Sequence, residues 1–130
     1  MEDADGERSE FAPAAPRPLP EMLGLISWLF MDEPFRSTVT GNLTRVAGAA
    51  DYRTAAHAYR LVAGGHYDFA MFGKVMPWDH AAGCLILEEL GGHCALFDGT
   101  PYRPTLHTGG LLCAPDRDRW SRIHEALLGA

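Results

Sequence analysis

The sequence has no apolar stretch of the roughly 20 residues that are needed to cross a bilayer. Its amino terminus is acidic, whereas a secretory signal would begin with basic residues. Its 11 lysine and arginine residues are scattered and form no basic stripe, which argues against a nucleic-acid-binding surface. These absences predict a protein that acts on neither membranes nor nucleic acids, and they favour the cytoplasm as its location.

Cysteine is scarce and widely spaced. The three cysteines, Cys84, Cys94 and Cys113, stand singly in apolar stretches of the sequence. They lack the close pairing that is typical of zinc sites and redox dithiols. The sequence therefore predicts three reduced thiols in the core.

The size and composition are those of one globular domain. The chain has 130 residues, of which 47% are hydrophobic and 22% are charged. Five carboxylates and one arginine within residues 1–10 account for −4 of the net charge of −6. Residues 1–20 are acidic and then rich in alanine and proline, which disfavours helix and sheet. We therefore predict a disordered acidic, proline-rich tail over residues 1–20 and one α/β domain over residues 21–130.

Helical and strand patterns alternate along this domain. The clearest segments are helices over residues 54–63, 76–90 and 116–128 and strands over residues 67–72, 94–97 and 110–114. Residues 22–31 fit either a strand or a buried helical turn, and residues 35–46 form a weaker candidate helix. Such alternation predicts a layered α/β fold in which a sheet is covered by helices.

The helix over residues 76–90 has the clearest boundaries. Pro77 lies near its first turn, and Gly91 and Gly92 follow its end. Apart from Glu88 and Glu89, its residues are apolar on most faces. We therefore expect this helix to be sandwiched within the domain.

Asp79 falls in the first turn of the same helix. Free backbone N–H groups and the positive end of the helix dipole lie near that position, so a carboxylate there stays ionised easily. It either complements the dipole, as such residues usually do, or binds a metal ion together with other carboxylates. The residue pattern alone leaves both interpretations open.

Three blocks of sequence around Asp79 carry a family resemblance. Residues 76–83 read Met-Pro-Trp-Asp-His-Ala-Ala-Gly, residues 88–92 read Glu-Glu-Leu-Gly-Gly, and residues 97–99 read Phe-Asp-Gly. Together with the helix-then-strand block over residues 53–68, they resemble the second signature of the inositol monophosphatase family. The resemblance covers about residues 35–128 and implies the C-terminal α/β domain of the inositol monophosphatase and sugar phosphatase fold.

This resemblance implies a function. Members of the family hydrolyse phosphate monoesters with Mg²⁺ ions and an activated water. The aspartate that matches Asp79 is a metal ligand in the family, and the small-residue helix start that matches Thr54 and Ala55 faces the substrate. The implied substrate is a small phosphorylated polyol or sugar. For Thr54, a plain helix N-cap is the alternative interpretation.

Other parts of the family pattern do not occur in the sequence. The family's remaining metal ligands lie in a glycine-glutamate block and an Asp-Pro-Ile/Leu-Asp-Gly-Thr block, and neither is present. Asp98 and Gly99 are no substitute, because they lack the preceding Asp-Pro. One hypothesis is therefore the C-terminal part of a phosphatase that another segment completes. The other is an inactive phosphatase-like module that binds a partner or forms a homodimer.

Two further residues near Asp79 are open to two interpretations each. Lys74 stands where many family members have a substrate-contacting carboxylate, and it either meets a phosphate or is simply solvated. His80 is adjacent to Asp79, but consecutive helical residues point about 100° apart. We therefore expect His80 to have a packing role.

Overall fold

The computed structural model describes residues 12–28, 31–51, 54–74, 77–105 and 109–129, and the side chains of residues 77–79 lie outside this description. Within these residues the chain forms five strands and four α-helices. The strands are β1 (Leu23–Ile26), β2 (Gly48–Ala50), β3 (Phe69–Phe72), β4 (His93–Leu96) and β5 (Leu111–Ala114). The helices are α1 (Phe35–Gly41), α2 (Ala55–Ala63), α3 (Pro77–Glu89) and α4 (Arg117–Leu128).

The five strands form one mixed sheet in the order β2-β1-β3-β5-β4. Strands β1, β2 and β3 are parallel, while β5 runs antiparallel to both of its neighbours. The connection from β1 to β2 runs toward one edge of the sheet, and the connection from β2 to β3 runs back toward the other edge. Because crossovers between parallel strands are right-handed, this reversal places α1 and α2 on opposite faces of the sheet.

Two hydrophobic cores follow from this arrangement, one on each face of the sheet. Strand β3 shows the alternation, since Ala70 and Phe72 enter one core while Phe69 and Met71 enter the other. The first core lies against α2 and α3, and the second lies against α1 and α4. The predicted α/β fold, a sheet covered by helices, is therefore confirmed.

The predicted elements agree with the structure except at the weakly patterned segments. The apolar run over residues 22–31 contains strand β1. The weaker helix over residues 35–46 ends at Gly41 and is followed by a 3₁₀ turn over Leu43–Arg45. Strand β2 was not predicted, because Gly-Ala-Ala has neither β-branched nor aromatic side chains.

Helix α3 departs from the prediction that it is sandwiched. Cys84 and Leu87 are buried against the sheet, but Leu85 is 58% exposed and Ile86 is 40% exposed. Within the described part of the chain, nothing covers this outer face. The prediction was wrong for that face, because an apolar helix surface does not reveal which element covers it.

The segment before β1 is held against the domain. Residues 12–18 form neither helix nor strand, and a 3₁₀ turn follows over Leu19–Glu21. Arg17 Nε lies 3.1 and 3.2 Å from the two carboxylate oxygens of the buried Asp68, and Arg119 donates to the carbonyl of Ala14. Residues 12–18 are irregular, as their composition indicated, and these contacts hold them against the domain. Residues 1–11 lie outside the described residues, so the tail stays a prediction there.

The helices of the described residues are too short or too polar to span a membrane.

Candidate functional site

The carboxyl ends of the three parallel strands lie at one edge of the sheet, and both α2 and α3 begin there. Helix α2 follows β2, and α3 follows β3. The strand order 2-1-3 also makes this edge a topological switch point between β1 and β3. Open α/β sheets usually bind ligands in the crevice at such a point. The amino ends of α2 and α3 therefore mark the candidate site.

Asp79 is the third residue of helix α3. Its backbone lies in the first turn, at the amino end that faces this edge of the sheet, as the sequence predicted. Its side chain lies outside the described residues, so its role as a metal ligand stays a prediction. Trp78, the neighbouring residue of the family motif, also has its side chain outside the described part.

Thr54 and Ala55 begin helix α2 at the same edge. Thr54 is exposed and occupies the N-cap position with extended backbone angles, but its side chain makes no capping hydrogen bond to the helix. Ala55 is half-buried and packs against the first core. The N-cap interpretation of Thr54 therefore holds for the backbone position but not for the side-chain hydrogen bond. Substrate contacts by either residue stay predictions.

Additional polar residues lie along this edge. Asp51 is half-buried and directly follows β2, and Lys74 is exposed two residues after β3. A shallow hollow at the same edge is lined by residues that follow β1, β3 and β4 and precede β5, namely Met31, Asp32, Phe35, Gly73, Phe97, Gly109 and Gly110. Sequence reasoning missed Asp51 because it missed β2, the strand that positions it.

Contacts with α2 fix the first turns of α3. The hydroxyl of Tyr59 lies 2.8 Å from Nδ1 of His80, and both residues are buried. The ring of His80 also packs edge-on against Phe72, with centroids 4.6 Å apart. A Cβ on Gly83 would lie 2.2 Å from Cδ2 of Tyr59, so only glycine allows this approach of α3 to the Tyr59 ring. The burial of His80 agrees with the packing role expected from the sequence.

The three cysteines lie together beneath this helix contact. The Sγ atoms of Cys84, Cys94 and Cys113 lie within 4.8 Å of one another, and all three residues are buried. Hydrogen bonds from the Cys113 and Cys94 thiols hold the pKa of the Cys84 thiol below its ordinary value. Burial raises the pKa of the Cys113 thiol well above the ordinary value of a cysteine. The prediction of three reduced thiols in the core is confirmed. Their proximity was not predicted, because helix α3 and the β4–β5 pairing bring distant positions together.

A magnesium pair requires several oxygen ligands. Among the described residues, the group of three or more potential ligands that lie close together consists of thiols rather than carboxylates. The described residues alone therefore do not fit a magnesium pair.

The chain is similar to known proteins over most of its length. The sequence profile of the inositol monophosphatase family matches residues 31–130. The inositol-1-monophosphatase of Bacillus subtilis (strain 168) is 36% identical over 67 residues, which are 52% of this chain and 25% of that protein.

Solved structures show the same fold. Inositol monophosphatase II from Staphylococcus aureus MSSA476 superposes with a TM-score of 0.76 at 23% identity, covering 89% of this chain and 43% of that one. An inositol monophosphatase from Zymomonas mobilis gives a TM-score of 0.79 at 18% identity, covering 95% and 47%. The chain thus spans less than half the length of these relatives. With a profile match over 100 of its 130 residues, the chain belongs to the inositol monophosphatase family.

Proposed function

We propose that this chain is the C-terminal part of a magnesium-dependent phosphatase that hydrolyses phosphate monoesters such as inositol monophosphate. Asp79 is one metal ligand in this proposal, and the remaining ligands come from outside the chain. The observation that carries the proposal is the position of Asp79. The family's Trp-Asp motif stands in the first turn of α3, at the carboxyl edge of the parallel strands.

The surroundings of Asp79 support a rigid, ionised ligand. The amino end of a helix stabilises a negative charge through its dipole and its free N–H groups. His80, the next residue, is anchored to Tyr59 of the neighbouring helix. A ligand on such a well-packed helix is held in one geometry, which a metal site with strict octahedral preference requires.

The amino end of α2 supports a phosphate-binding role for Thr54 and Ala55. Backbone N–H groups at a helix start favour anions, and Thr54 and Ala55 stand at the start of α2. SaIMPase-II, one of the structural relatives, was solved with inositol monophosphate and with 2′AMP. By analogy, the substrate proposed here is a small phosphorylated polyol or sugar.

A second candidate function is a catalytically inactive module. The observation that favours it is that the described residues contain no cluster of carboxylates that could bind a metal pair. In this alternative the exposed face of α3 with Leu85 and Ile86 contacts a partner or a second copy of the chain. A cytoplasmic location fits both candidates.

Complementation distinguishes the two candidates. The purified chain is mixed with the separately expressed N-terminal half of the Bacillus subtilis relative, and Mg²⁺-dependent release of phosphate from inositol 1-phosphate is measured. We expect no turnover by the chain alone and measurable turnover by the mixture.

Two variants locate the activity. Asp79→Asn should abolish turnover by the mixture, whereas Asp98→Asn, which changes an exposed aspartate in the turn after β4, should leave it intact. If the two halves form a stable complex by light scattering and that complex has no turnover, the inactive module is the better conclusion.

A further inference from the structure

The cluster of three thiols is the chemical feature that the proposed phosphatase does not use. Three elements supply it, with Cys84 on α3, Cys94 on β4 and Cys113 on β5. Cys94 and Cys113 are direct partners in the antiparallel register. The chain has three cysteines in all, so every one of them belongs to the cluster.

The size of the cluster suits one metal ion. If each pair of Sγ atoms is taken at the limit of 4.8 Å, a central ion lies about 2.8 Å from every sulfur, because the centre of such a triangle is 4.8/√3 from its corners. A zinc–sulfur bond is about 2.3 Å long. Each sulfur therefore has to move by no more than about 0.5 Å, which rotation about χ1 provides.

The hydroxyl of Tyr59 is close enough to donate to two of these thiolates, and a second buried tyrosine, Tyr102, belongs to the same core. The Tyr59 oxygen lies 3.4 Å from Cys84 Sγ and 3.8 Å from Cys113 Sγ. Tyr102 is 7% exposed and belongs to the same core as the thiols, and its backbone N–H donates to the carbonyl of Cys94. Its hydroxyl has no hydrogen-bond partner among the described residues. A buried hydroxyl without a partner is costly, and a metal-bound thiolate would supply the missing acceptor.

The charge balance is acceptable for a divalent ion. Binding replaces three S–H protons, which leave to solvent, and a divalent ion then leaves a single negative charge on the cluster. The hydroxyl of Tyr59, which lies near two of the sulfurs, can stabilise this charge.

We propose that Cys84, Cys94 and Cys113 form a thiolate site for one soft d¹⁰ metal ion of the Zn(II), Cd(II) and Cu(I) class. Thiolates select such soft ions, whereas Mg²⁺ requires oxygen ligands. The site is therefore chemically distinct from a magnesium site at Asp79. It lies in the core between α3, β4 and β5.

The first test is a titration of the reduced, metal-free chain with Cd²⁺. We expect one equivalent to bind and to produce thiolate-to-cadmium charge-transfer absorption, and we expect a large excess of Mg²⁺ to leave this absorption unchanged. Competition by Zn(II) and by Cu(I) under anaerobic conditions then identifies the preferred ion. Saturating ion should protect all three thiols from alkylation of the native chain, as counted by mass spectrometry.

Variants separate the cluster from surface binding. Each of Cys84→Ser, Cys94→Ser and Cys113→Ser should weaken binding more than tenfold, and Tyr102→Phe should weaken it about tenfold. The control changes two exposed histidines together, as His57→Asn with His66→Asn, and should leave the affinity unchanged. Because a serine variant can fail to fold, the Tyr102→Phe variant and the alkylation of wild type provide independent readouts.

Three results would overturn the proposal. The first is a chain whose three thiols remain alkylated at the metal-free rate in the presence of excess ion. The second is binding that the histidine control abolishes. The third is one equivalent of Cd²⁺ that all three serine variants bind with the affinity of the wild type.

Discussion

The hydroxyl of Tyr59 lies 2.8 Å from Nδ1 of His80, across the contact between α2 and α3. His80 directly follows Asp79, so this hydrogen bond holds the turn of α3 that carries the proposed metal ligand. The same hydroxyl lies 3.4 Å from Cys84 Sγ. A single buried polar atom therefore connects the amino end of α3 with the thiol cluster beneath it.

Removal of this hydroxyl should destabilise the chain. Tyr59→Phe removes the hydrogen bond to the buried Nδ1 of His80, and the expected loss is about 1–3 kcal/mol of the free energy of unfolding. Urea denaturation followed by circular dichroism measures this loss.

Tyr102→Phe is the matched control in the metal-free chain. Its hydroxyl has no partner among the described residues, so its removal should be neutral or stabilising by up to about 1 kcal/mol. Equal destabilisation by the two variants would contradict the assigned hydrogen-bonding roles.

A methyl group at position 83 should separate α3 from α2. The added Cβ of Gly83→Ala would lie 2.2 Å from the Tyr59 ring, and overpacking of this kind typically costs about 1–3 kcal/mol. Gly41→Ala is the control, because nothing lies within 4 Å of a Cβ there and alanine is the better helix former. Thermal denaturation should show a lower midpoint for Gly83→Ala and an equal or higher one for Gly41→Ala.

The exposed face of α3 should mediate association. Leu85 is 58% exposed and Ile86 is 40% exposed, and the two residues are consecutive on α3. Exposed apolar side chains favour self-association. Light scattering should show a concentration-dependent increase in mass for the isolated chain, which the double variant Leu85→Ser, Ile86→Ser abolishes.

The control for this experiment is His57→Ser, a change on the exposed face of α2. It should leave the association unchanged. If the wild-type chain is monomeric at all concentrations, the exposed face of α3 does not mediate association.

The sequence predicted those elements whose local pattern and boundaries agree. Helix α2 ends at Ala63, as the glycine pair at Gly64 and Gly65 indicated, and helix α4 buries Trp120 and Ile123. These features depend on neighbouring residues three or four positions apart, which periodicity reveals. Strand β2 has no such pattern, because small residues pack wherever a neighbouring strand accepts them.

In the candidate site, too, some features follow from local sequence signals and others depend on tertiary contacts. The position of Asp79 at a helix start follows from local signals, since Pro77 and the glycine pair after the helix mark its ends. The thiol cluster depends on the register of β4 with β5, which pairs Cys94 with Cys113. No spacing along the chain encodes that pairing, so the sequence could not predict that the cysteines meet.

Asp116 caps the amino end of helix α4. Asp116 accepts a hydrogen bond from the backbone N–H of Arg119 at 2.7 Å and another from its Nε at 2.9 Å. Burial alone would raise the pKa of the Asp116 carboxyl, but these hydrogen bonds and the charge of Arg119 outweigh burial and hold that pKa below its ordinary value. The carboxylate therefore stabilises the folded chain more than the neutral acid does.

The sign of the pH dependence follows from the lowered pKa. The contribution of Asp116 is fully present above the unfolded pKa of about 3.9 and is lost as the pH falls through the lower folded value. Asp116→Ala should cost about 1–2 kcal/mol near neutral pH, and the difference from wild type should shrink below about pH 4.

Urea denaturation at a series of pH values from 7 down to the lowest at which the chain folds measures this difference. Asp118→Ala is the control, because Asp118 forms an exposed i,i+4 ion pair with Arg122 at 2.6 Å. That variant should cost less than about 0.5 kcal/mol. A difference between wild type and Asp116→Ala that grows on acidification would mean that the carboxylate does not stabilise α4, because protonation would then strengthen the cap.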